Sequence, residues 1–329
     1  MVEPDMSINQ PLQIISLDKK GGGAAVGLAD FTGVPGSDES PCWVHLDYSQ
    51  SAALEWLNGI DWLDPIIKAN LSDDDTRPRS LALPDGLFLS LRGVNLNPGS
   101  DPEDMIAVRM WANERCIITS NRRKLLSLED IRTSLERGKG PGSTRQFVTL
   151  LIEGLALRAE TVVEQIENDF EMLEDRLITD DEPESRALLA QLRRQAIRLK
   201  RFFMPQRAAL EHLVSDPPGW LTKRDKLHIK ESINKFNRYV EELDSIRDRA
   251  IVVQEEILSK LSETLNKRMY TLSLVATLFL PLGFLTGLLG INVGGIPGAE
   301  NPYGFLAICI GIVAVSIGMI ALLKFKKWF

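Results

Sequence analysis

Two long apolar runs, Thr271–Leu289 and Tyr303–Leu323, dominate the C-terminal part of the chain. Between them lies the short segment Asn292–Pro302, and residues 269–323 contain no lysine or arginine and a single acidic residue, Glu300. Each run is long enough to cross a bilayer core of ~30 Å at ~1.5 Å of rise per residue. The pattern predicts a membrane hairpin. A buried pair of soluble helices is the alternative, although such helices are usually shorter and less uniformly apolar.

Basic residues flank this predicted hairpin at its outer ends and are absent from the segment that connects the two runs. Because positive residues stay on the cytoplasmic side, we predict that both chain termini are cytoplasmic and that the connecting segment lies outside. The expected location is the inner membrane of a bacterial-type cell. The flanking basic residues are Lys267, Arg268, Lys324, Lys326 and Lys327.

The part of the chain up to about residue 122 has the alternating and short apolar runs of a mixed α and β domain, and a helical pattern follows it. The three cysteines are scattered and form no Cys-x-x-Cys motif, which fits a reducing cytoplasm. We predict strands at Cys42–Tyr48 and Leu87–Leu91, a β-hairpin from Met105–Trp111 and Cys116–Thr119, loops at Asp73–Pro78 and Asn97–Pro102, and an amphipathic helix at Lys124–Arg137.

One very long helix is predicted next, because no glycine or proline occurs from Trp220 to Leu280. Its apolar positions step by threes and fours, and the helix runs without a break into the first membrane span. At about 90 Å it is too long for a monomeric globular core, so it is expected to pack against other long helices. One hairpin cannot enclose a pore, so transport would require several copies around an axis.

A narrow stripe of small, polar or flexible side chains follows one side of this helix at steps of three and four residues. Such a stripe could line a water-containing path, with Met269 and Leu280 as apolar constrictions. Close packing of membrane helices also favours small residues, and spacing alone leaves both interpretations open. Asn292, near the end of the stripe, is better explained by a pore mouth. The stripe comprises Ser259, Ser262, Asn266, Met269, Ser273, Ala276, Leu280, Gly283 and Gly287.

The segment Phe279–Asn292 resembles the end of the first membrane span in the CorA family of divalent-cation transporters, whose signature is Gly-Met-Asn. This chain has Gly290-Ile291-Asn292 instead. The following Val293–Gly298 is similar to the zinc-transporting ZntB branch of that family rather than to its magnesium branch. The resemblance implies a homopentameric funnel with a mixed α+β cytoplasmic domain, a long stalk helix and two C-terminal transmembrane helices. It also implies zinc as the transported ion, with no permanently bound cofactor.

The resemblance also assigns roles to single residues. Gly290, Ile291 and Asn292 would form the outer filter, where a ring of amides binds a hydrated cation weakly enough to release it. Seven residues of the stripe would line the pore, and Asn266 would lie near its cytoplasmic entrance. They are Asn266, Met269, Ser273, Ala276, Leu280, Gly283 and Gly287. Glu300 would form a ring of carboxylates at the outer mouth. Magnesium members commonly carry a threonine at the position of Gly283, and Thr286, one turn later, is a candidate to replace its hydroxyl.

Acidic residues recur at helical spacing between positions 160 and 184. In a pentamer they would form a negative collar that concentrates cations, whereas a solvated helix face is the ordinary explanation of such a pattern. No carboxylate or histidine lies within either predicted span, so a proton-coupling group would have to be elsewhere, with Glu255 and Glu300 as candidates. The acidic face comprises Glu160, Glu164, Glu167, Glu171 and Glu174.

Other functional classes are less well supported. His45, His212 and His228 are the only histidines and show no metal-ligand spacing, so no metal-binding residues are identified. No nucleotide-binding motif is matched by the glycines Gly21-Gly22-Gly23 and Gly27. We predict neither an enzyme activity nor a nucleic-acid partner. A membrane-anchored scaffold remains an alternative, but it would not need a stripe of small residues.

We therefore predict a homopentameric transporter in the lipid bilayer that takes up divalent metal ions, zinc above all, with coupling to protons as one mechanism. Zinc efflux and a general channel for magnesium, cobalt or nickel are the alternatives. The predicted segments are residues 1–122 (α/β domain), 123–219 (helical region), 220–268 (stalk helix), 269–292 (first transmembrane pore helix), 293–302 (outer loop), 303–323 (second transmembrane helix) and 324–329 (basic tail).

Overall fold

The computed structural model describes residues 11–27, 40–74, 77–179, 183–290 and 301–325. The chain divides into two compact units, residues 1–253 and residues 254–329. The described strands of the first unit are β1 (Leu12–Leu17), β2 (Gly23–Ala25), β3 (Cys42–Asp47), β4 (Arg79–Leu83), β5 (Gly86–Gly93), β6 (Ile106–Ala112) and β7 (Cys116–Asn121). The described helices of the chain are α1 (Ser51–Asn58), α2 (Pro65–Ser72), α3 (Leu126–Glu136), α4 (Thr144–Thr179), α5 (Pro183–Ser215), α6 (Lys223–Leu289) and α7 (Gly304–Phe325).

The seven strands form one sheet in the order β2-β1-β3-β7-β6-β5-β4. Neighbouring strands are antiparallel except β3 and β7, which pair in parallel with Cys42 opposite Cys116. The strands predicted at Cys42–Tyr48 and Leu87–Leu91 and the predicted hairpin of β6 and β7 are therefore confirmed. The hairpin turns where Asn113 Oδ1 accepts hydrogen bonds from the backbone N–H groups of Arg115 and Cys116, both at 2.8 Å.

Both faces of the sheet are covered, which explains why β6 and β7 are buried along their whole length. On one face, Cys42, Val44 and Leu46 belong to a core that also contains side chains of α1 and α2. On the other face, Trp43 packs against Phe147 of α4 with ring centroids 4.9 Å apart. The short helices α1 and α2 and the short strand β2 had no periodic signal long enough to be predicted.

The glycine-rich segment near the N-terminus makes the turn between β1 and β2. Gly21 has a φ of 108°, and its carbonyl accepts a hydrogen bond from the backbone N–H of Gly140 at 2.7 Å. A Cβ atom on Gly21 would lie 3.0 Å from the carbonyl oxygens of both Gly138 and Gly140. The glycine is thus required by backbone conformation and by close packing against another loop, which gives this segment a structural explanation without a nucleotide.

Helices α4 and α6 run parallel, because three contacts join residues that are each 75 positions apart. These contacts also give part of the acidic helix face a structural role, since two of its glutamates pair with basic residues of α6. We call them the α4–α6 ladder, and its members are Glu153 with His228 at 2.7 Å, Glu160 with Lys235 at 2.9 Å, and Glu174 with Arg249.

Glu160 is the most enclosed member of the ladder, with 19% of its side chain exposed, and it also accepts a hydrogen bond from Arg238. The hydrogen bond from Lys235 is the main cause that lowers the pKa of Glu160, and Arg238 adds to it. Glu164 and Glu171 of the same acidic face are exposed. The face is therefore divided, with part of it binding α6 and part of it facing solvent.

The start of α6 is fixed by a reciprocal cap. Asp225 Oδ2 accepts hydrogen bonds from the backbone N–H and the hydroxyl of Thr222, at 2.9 and 2.6 Å, and its own N–H donates to Thr222 Oγ1 at 3.2 Å. Arg145 of α4 lies 3.1 Å from Asp225 Oδ1. Burial alone would raise the pKa of Asp225, but the hydrogen bonds from Thr222 and the charge of Arg145 lower it overall. The helix begins at Lys223, close to the predicted Trp220.

His45 is enclosed in the first unit and makes one short polar contact. Its Nδ1 lies 2.9 Å from Thr119 Oγ1, which also accepts a hydrogen bond from Trp43 Nε1 at 2.8 Å. Burial lowers the pKa of His45 from 6.5 to about 4, and the nearby Asp47 opposes this only in part. The imidazole is therefore neutral in the folded chain at neutral pH.

This burial predicts a specific acid sensitivity. Between pH 6.5 and about 4, His45 is protonated in the unfolded chain but neutral in the folded one. The free energy of unfolding is therefore not reduced by His45 above pH 6.5, and it decreases as the pH falls below that value. The decrease in the free energy of unfolding that comes from His45 is up to about 3 kcal/mol. We expect the melting temperature (Tm) of the detergent-solubilised chain to fall less between pH 7 and pH 4.5 in His45→Gln than in the unsubstituted protein. Equal slopes in both chains would contradict the assignment.

The second unit contains the last part of α6 and the whole of α7. Both helices have apolar stretches long enough to cross a membrane, and α7, with 22 residues, extends about 33 Å. Large apolar side chains such as Phe279, Phe284 and Phe305 are 68%, 69% and 81% exposed in the single chain. Surfaces of this kind require lipid or further protein to cover them.

Candidate ion pathway

The predicted pore-lining residues all lie on α6, and all have exposed side chains or are exposed glycines in the single chain. From Asn266 to Gly287 their steps alternate between three and four residues. A helix with ~3.6 residues per turn keeps such a series on one side, with a drift of ~20° per seven residues. We call this side the α6 stripe, and its members are Asn266, Met269, Ser273, Ala276, Leu280, Gly283 and Gly287.

A different side of α6 is partly covered within the chain. Its half-buried residues lie one or two positions away from those of the stripe, which is about 100–200° around the helix. The α6 stripe is therefore not the side that packs within a single chain. The half-buried residues in the membrane part of α6 are Leu274, Leu278, Pro281, Leu282 and Leu285.

The two glycines of the stripe support this separation. A Cβ atom built on Gly283 or Gly287 would meet nothing within 4 Å. Small residues are therefore not needed there for close helix packing inside one chain. Close packing between copies and an open path both stay open as explanations of the stripe.

Hydroxyl groups in this part of α6 bond to the helix's own backbone. Thr277 Oγ1 donates to the carbonyl of Ser273 at 2.8 Å, and Thr286 Oγ1 donates to the carbonyls of Leu282 and Gly283 at 3.0 and 3.2 Å. Such back-bonding satisfies a polar group in an apolar setting. Thr286 lies three positions after Gly283, about 60° around the helix, and the replacement of a threonine at Gly283 by Thr286 stays a prediction.

Pro281 removes one hydrogen bond of the helix at the level of Leu280. It has no N–H to donate to the carbonyl of Thr277, four residues earlier, and a proline inside a helix is a usual point of bending. The carbonyl of Thr277 is thereby left without its main-chain donor in the middle of the apolar stretch. A backbone oxygen of this kind can bind water or a hydrated ion.

Helix α6 ends at Leu289, and the next residue, Gly290, is the first residue of the predicted filter and the last described one before position 301. The backbone N–H of Gly290 lies 3.0 Å from the carbonyl of Thr286 and 3.2 Å from that of Gly287, which closes the last turn. Ile291, Asn292 and Glu300 lie outside the described residues. Their roles in the filter and at the outer mouth therefore stay predictions.

The histidines are held by ordinary protein contacts. His45 is enclosed as described above, and His212 Nδ1 lies 3.1 Å from Ser80 Oγ. His228 Nδ1 contacts Glu153 in the α4–α6 ladder. Among the described residues, no three His, Cys, Asp or Glu side chains lie close enough to hold a metal ion together. The ladder was not foreseen, because the partners are distant in sequence and only folding brings them together.

Comparison with known proteins gives the family. Residues 38–327 match the family described as CorA-like Mg2+ transporter protein. The zinc transport protein ZntB of Yersinia enterocolitica is 32% identical over 323 residues, which cover 98% of this chain and 97% of the relative. The protein of the same name from Pectobacterium carotovorum is 35% identical over 312 residues, which cover 95% of this chain and 94% of the relative. The chain belongs to the CorA family.

Solved structures agree with this assignment. The full-length CmaX protein matches with a TM-score of 0.84 at 34% sequence identity, covering 98% of this chain and 100% of that chain. The CorA magnesium transporter from Methanocaldococcus jannaschii matches with a TM-score of 0.82 over 98% of this chain and 100% of its own, and at 14% identity this likeness shows the fold alone. The predicted α+β domain, long helix and C-terminal apolar helix are confirmed, and the family is one of transporters rather than enzymes.

The α4–α6 ladder leads to a prediction about the acidic face. Glu160→Gln removes the carboxylate that binds Lys235 and Arg238, so it should cost about 1 kcal/mol and lower the Tm of the purified chain. Glu164→Gln, a matched change at an exposed position of the same face, should shift stability by less than about 0.5 kcal/mol. Equal effects of the two substitutions on Tm would show that the ladder contributes little.

Proposed function

We propose that this protein transports zinc across the bacterial inner membrane, through a path lined by the α6 stripes of several copies. Two features support the proposal. The curated relatives that align with nearly the whole chain are named zinc transport proteins, and α6 carries an exposed stripe of small and polar side chains through an otherwise apolar stretch. The α6 stripe is the observation that carries the proposal, because a helix that serves only as an anchor has no need of it.

We propose that five copies assemble around the pore axis. One hairpin of two helices cannot enclose a water-filled path, and a closed ring of identical subunits is the usual way to build one. Facing the axis, the stripe would present Ser273, Ala276 and the two glycines, which leave room for an ion that keeps its water. Met269 and Leu280 would form apolar constrictions. The large exposed side chains on other sides of α6 and on α7 would face lipid or neighbouring copies.

The outer end of the path is assigned to Gly290, Ile291 and Asn292, with Glu300 in the outer loop. Five asparagine amides would offer neutral oxygens to a hydrated divalent cation, and five carboxylates nearby would attract it. Isoleucine in place of methionine in the family signature, together with the Val293–Gly298 loop, favours zinc over magnesium. Both chain termini would be cytoplasmic, as the flanking basic residues indicate.

We propose uptake as the direction of transport, with a proton gradient as the coupled driving force. The described parts of the spans contain no carboxylate or histidine to relay protons. A coupling group would therefore lie outside them, at Glu255 or Glu300. Transport of magnesium is a second candidate function, because the matching family is described by that ion.

Flux measurements on the purified full-length protein test these proposals. Zinc entry into proteoliposomes is followed with a trapped fluorescent indicator, with excess magnesium outside and with a pH gradient imposed in either sense. We expect zinc entry that resists magnesium and accelerates when the zinc-containing side is acidic. Inhibition by magnesium without a pH response would indicate a general divalent channel, and absence of any flux would favour a membrane-anchored scaffold.

Gly283→Leu tests whether the stripe faces the path. A Cβ atom at this position meets nothing within 4 Å in the single chain, so we expect the fold to tolerate the substitution. Five leucines at one level of the path should reduce zinc flux by about tenfold or more through dewetting. Gly311→Leu on α7 is the matched control, since it also meets nothing within 4 Å. Equal flux in the two variants, with assembly checked by size-exclusion chromatography, would place the stripe away from the path.

Asn292→Ala tests the proposed filter. Replacing the amide ring with methyl groups should reduce zinc flux by at least about tenfold, because the cation loses its binding oxygens at the mouth. Assembly should be unchanged, since the substitution only shortens one polar side chain. Undiminished flux in an assembled Asn292→Ala protein would remove Asn292 from the filter. Asn292→Gln, which keeps an amide at the same position, serves as the control.

A further inference from the structure

Two cysteines that are far apart in sequence lie side by side in the sheet. Cys42 at the start of β3 and Cys116 at the start of β7 are register partners, and their sulfur atoms are 3.3 Å apart. Adjacent strands are ~4.8 Å apart, which falls within the range of Cα separations found in disulfides. The strand pairing and the short S···S distance thus meet the separation that a disulfide requires.

We propose that Cys42 and Cys116 form a reversible intramolecular disulfide when the cytoplasm is exposed to peroxide. The two thiols are the nearest reactive groups to one another, and neither is used by the transport path proposed above. In the reducing cytoplasm they remain thiols, as the structure has them. The pair is thus a modification site in the first unit of the chain.

The surroundings distinguish the two thiols. Cys42 keeps 9% of its surface exposed, whereas Cys116 has none. The hydrogen bond with Cys116 lowers the pKa of Cys42 and, together with burial, raises the pKa of Cys116. Because Cys42 is the more exposed of the two, it is the thiol that an oxidant reaches first, and Cys116 is the thiol that resolves the product.

The chemistry balances with hydrogen peroxide as the oxidant. The Cys42 thiolate attacks one peroxide oxygen, the O–O bond breaks, and after proton uptake one water leaves while Cys42 becomes a sulfenic acid. The Cys116 sulfur then attacks the Cys42 sulfur, the S–O bond breaks, and the hydroxide leaves with the Cys116 proton as a second water. Two thiols and one peroxide thus give one disulfide and two waters.

The position of the pair gives the disulfide a structural consequence. The β3–β7 contact is the parallel pairing of the described sheet, and it joins the antiparallel set β2-β1-β3 to the antiparallel set β7-β6-β5-β4. A disulfide there would bind the two sets covalently and close a loop between two cysteines that are 74 positions apart. Cross-links over long loops restrict the unfolded chain most, so the oxidised protein should be the more stable form.

The test uses the full-length chain with Cys309→Ser, which removes the third cysteine. The protein in detergent is treated with hydrogen peroxide, alkylated under denaturing conditions and digested. We expect both thiols to become unreactive, a linked peptide containing Cys42 and Cys116, recovery with dithiothreitol, and a Tm several degrees higher after oxidation. Cys116→Ser under the same treatment should instead accumulate sulfenic acid on Cys42.

Three results would overturn the proposal. Both thiols could stay fully reactive at peroxide concentrations that oxidise an exposed thiol peptide. Cys42 could gain oxygen in the Cys309→Ser chain while Cys116 stays a free thiol. The cysteines could also link different chains, which a dimer on a non-reducing gel would reveal. Because the linked peptide is sought in a chain with both cysteines intact, the result does not depend on the folding of Cys116→Ser.

Discussion

The requirement that a membrane-crossing segment satisfy its own backbone hydrogen bonds shapes the apolar C-terminal part of α6. In hydrocarbon an unpaired N–H or carbonyl costs several kcal/mol, so a single span must be a helix. The threonine hydroxyls of the span meet the same requirement by bonding to carbonyls of their own helix. Pro281 is the exception, because it leaves one carbonyl without its donor. An exception of this kind is tolerated where protein or water can approach.

The same helix has a different composition in the first unit, where it is held by charge. Glu160 and Glu174 of α4 bind basic residues of α6, and Asp225 caps its first turn while contacting Arg145. Lys200 of α5 adds a contact to Asp244 at 2.5 Å. These partly buried pairs fix the register of the parallel helices, because a shift of one residue would separate every pair. The acidic face of α4 is thus partly a packing surface, through Glu160 and Glu174, and its exposed members Glu164 and Glu171 face solvent.

The sequence was sufficient to predict the elements with strong periodicity. The apolar alternation of β3, the hairpin of β6 and β7, and the long glycine-free stretch of α6 all carry local signals, and the structure contains them. Helices α1 and α2 are eight residues each, too short for a reliable period. No local pattern indicates the contacts that depend on tertiary folding. These are the α4–α6 ladder, the pairing of Cys42 with Cys116 and the polar contact of His45. For the candidate path, spacing placed the stripe on one side of a helix, but only the structure separated that side from the half-buried one.

The central claim is that the α6 stripe faces a water-containing path. Single cysteines introduced into a cysteine-free chain at Ser273, Ala276 and Gly283, and at the off-stripe positions Leu274, Leu278 and Leu282, can be reacted with a charged thiol reagent in proteoliposomes. The account predicts fast modification at the stripe positions, slowed by zinc, and little modification off the stripe. Equal reactivity on both sides, or modification confined to the off-stripe positions, would contradict it.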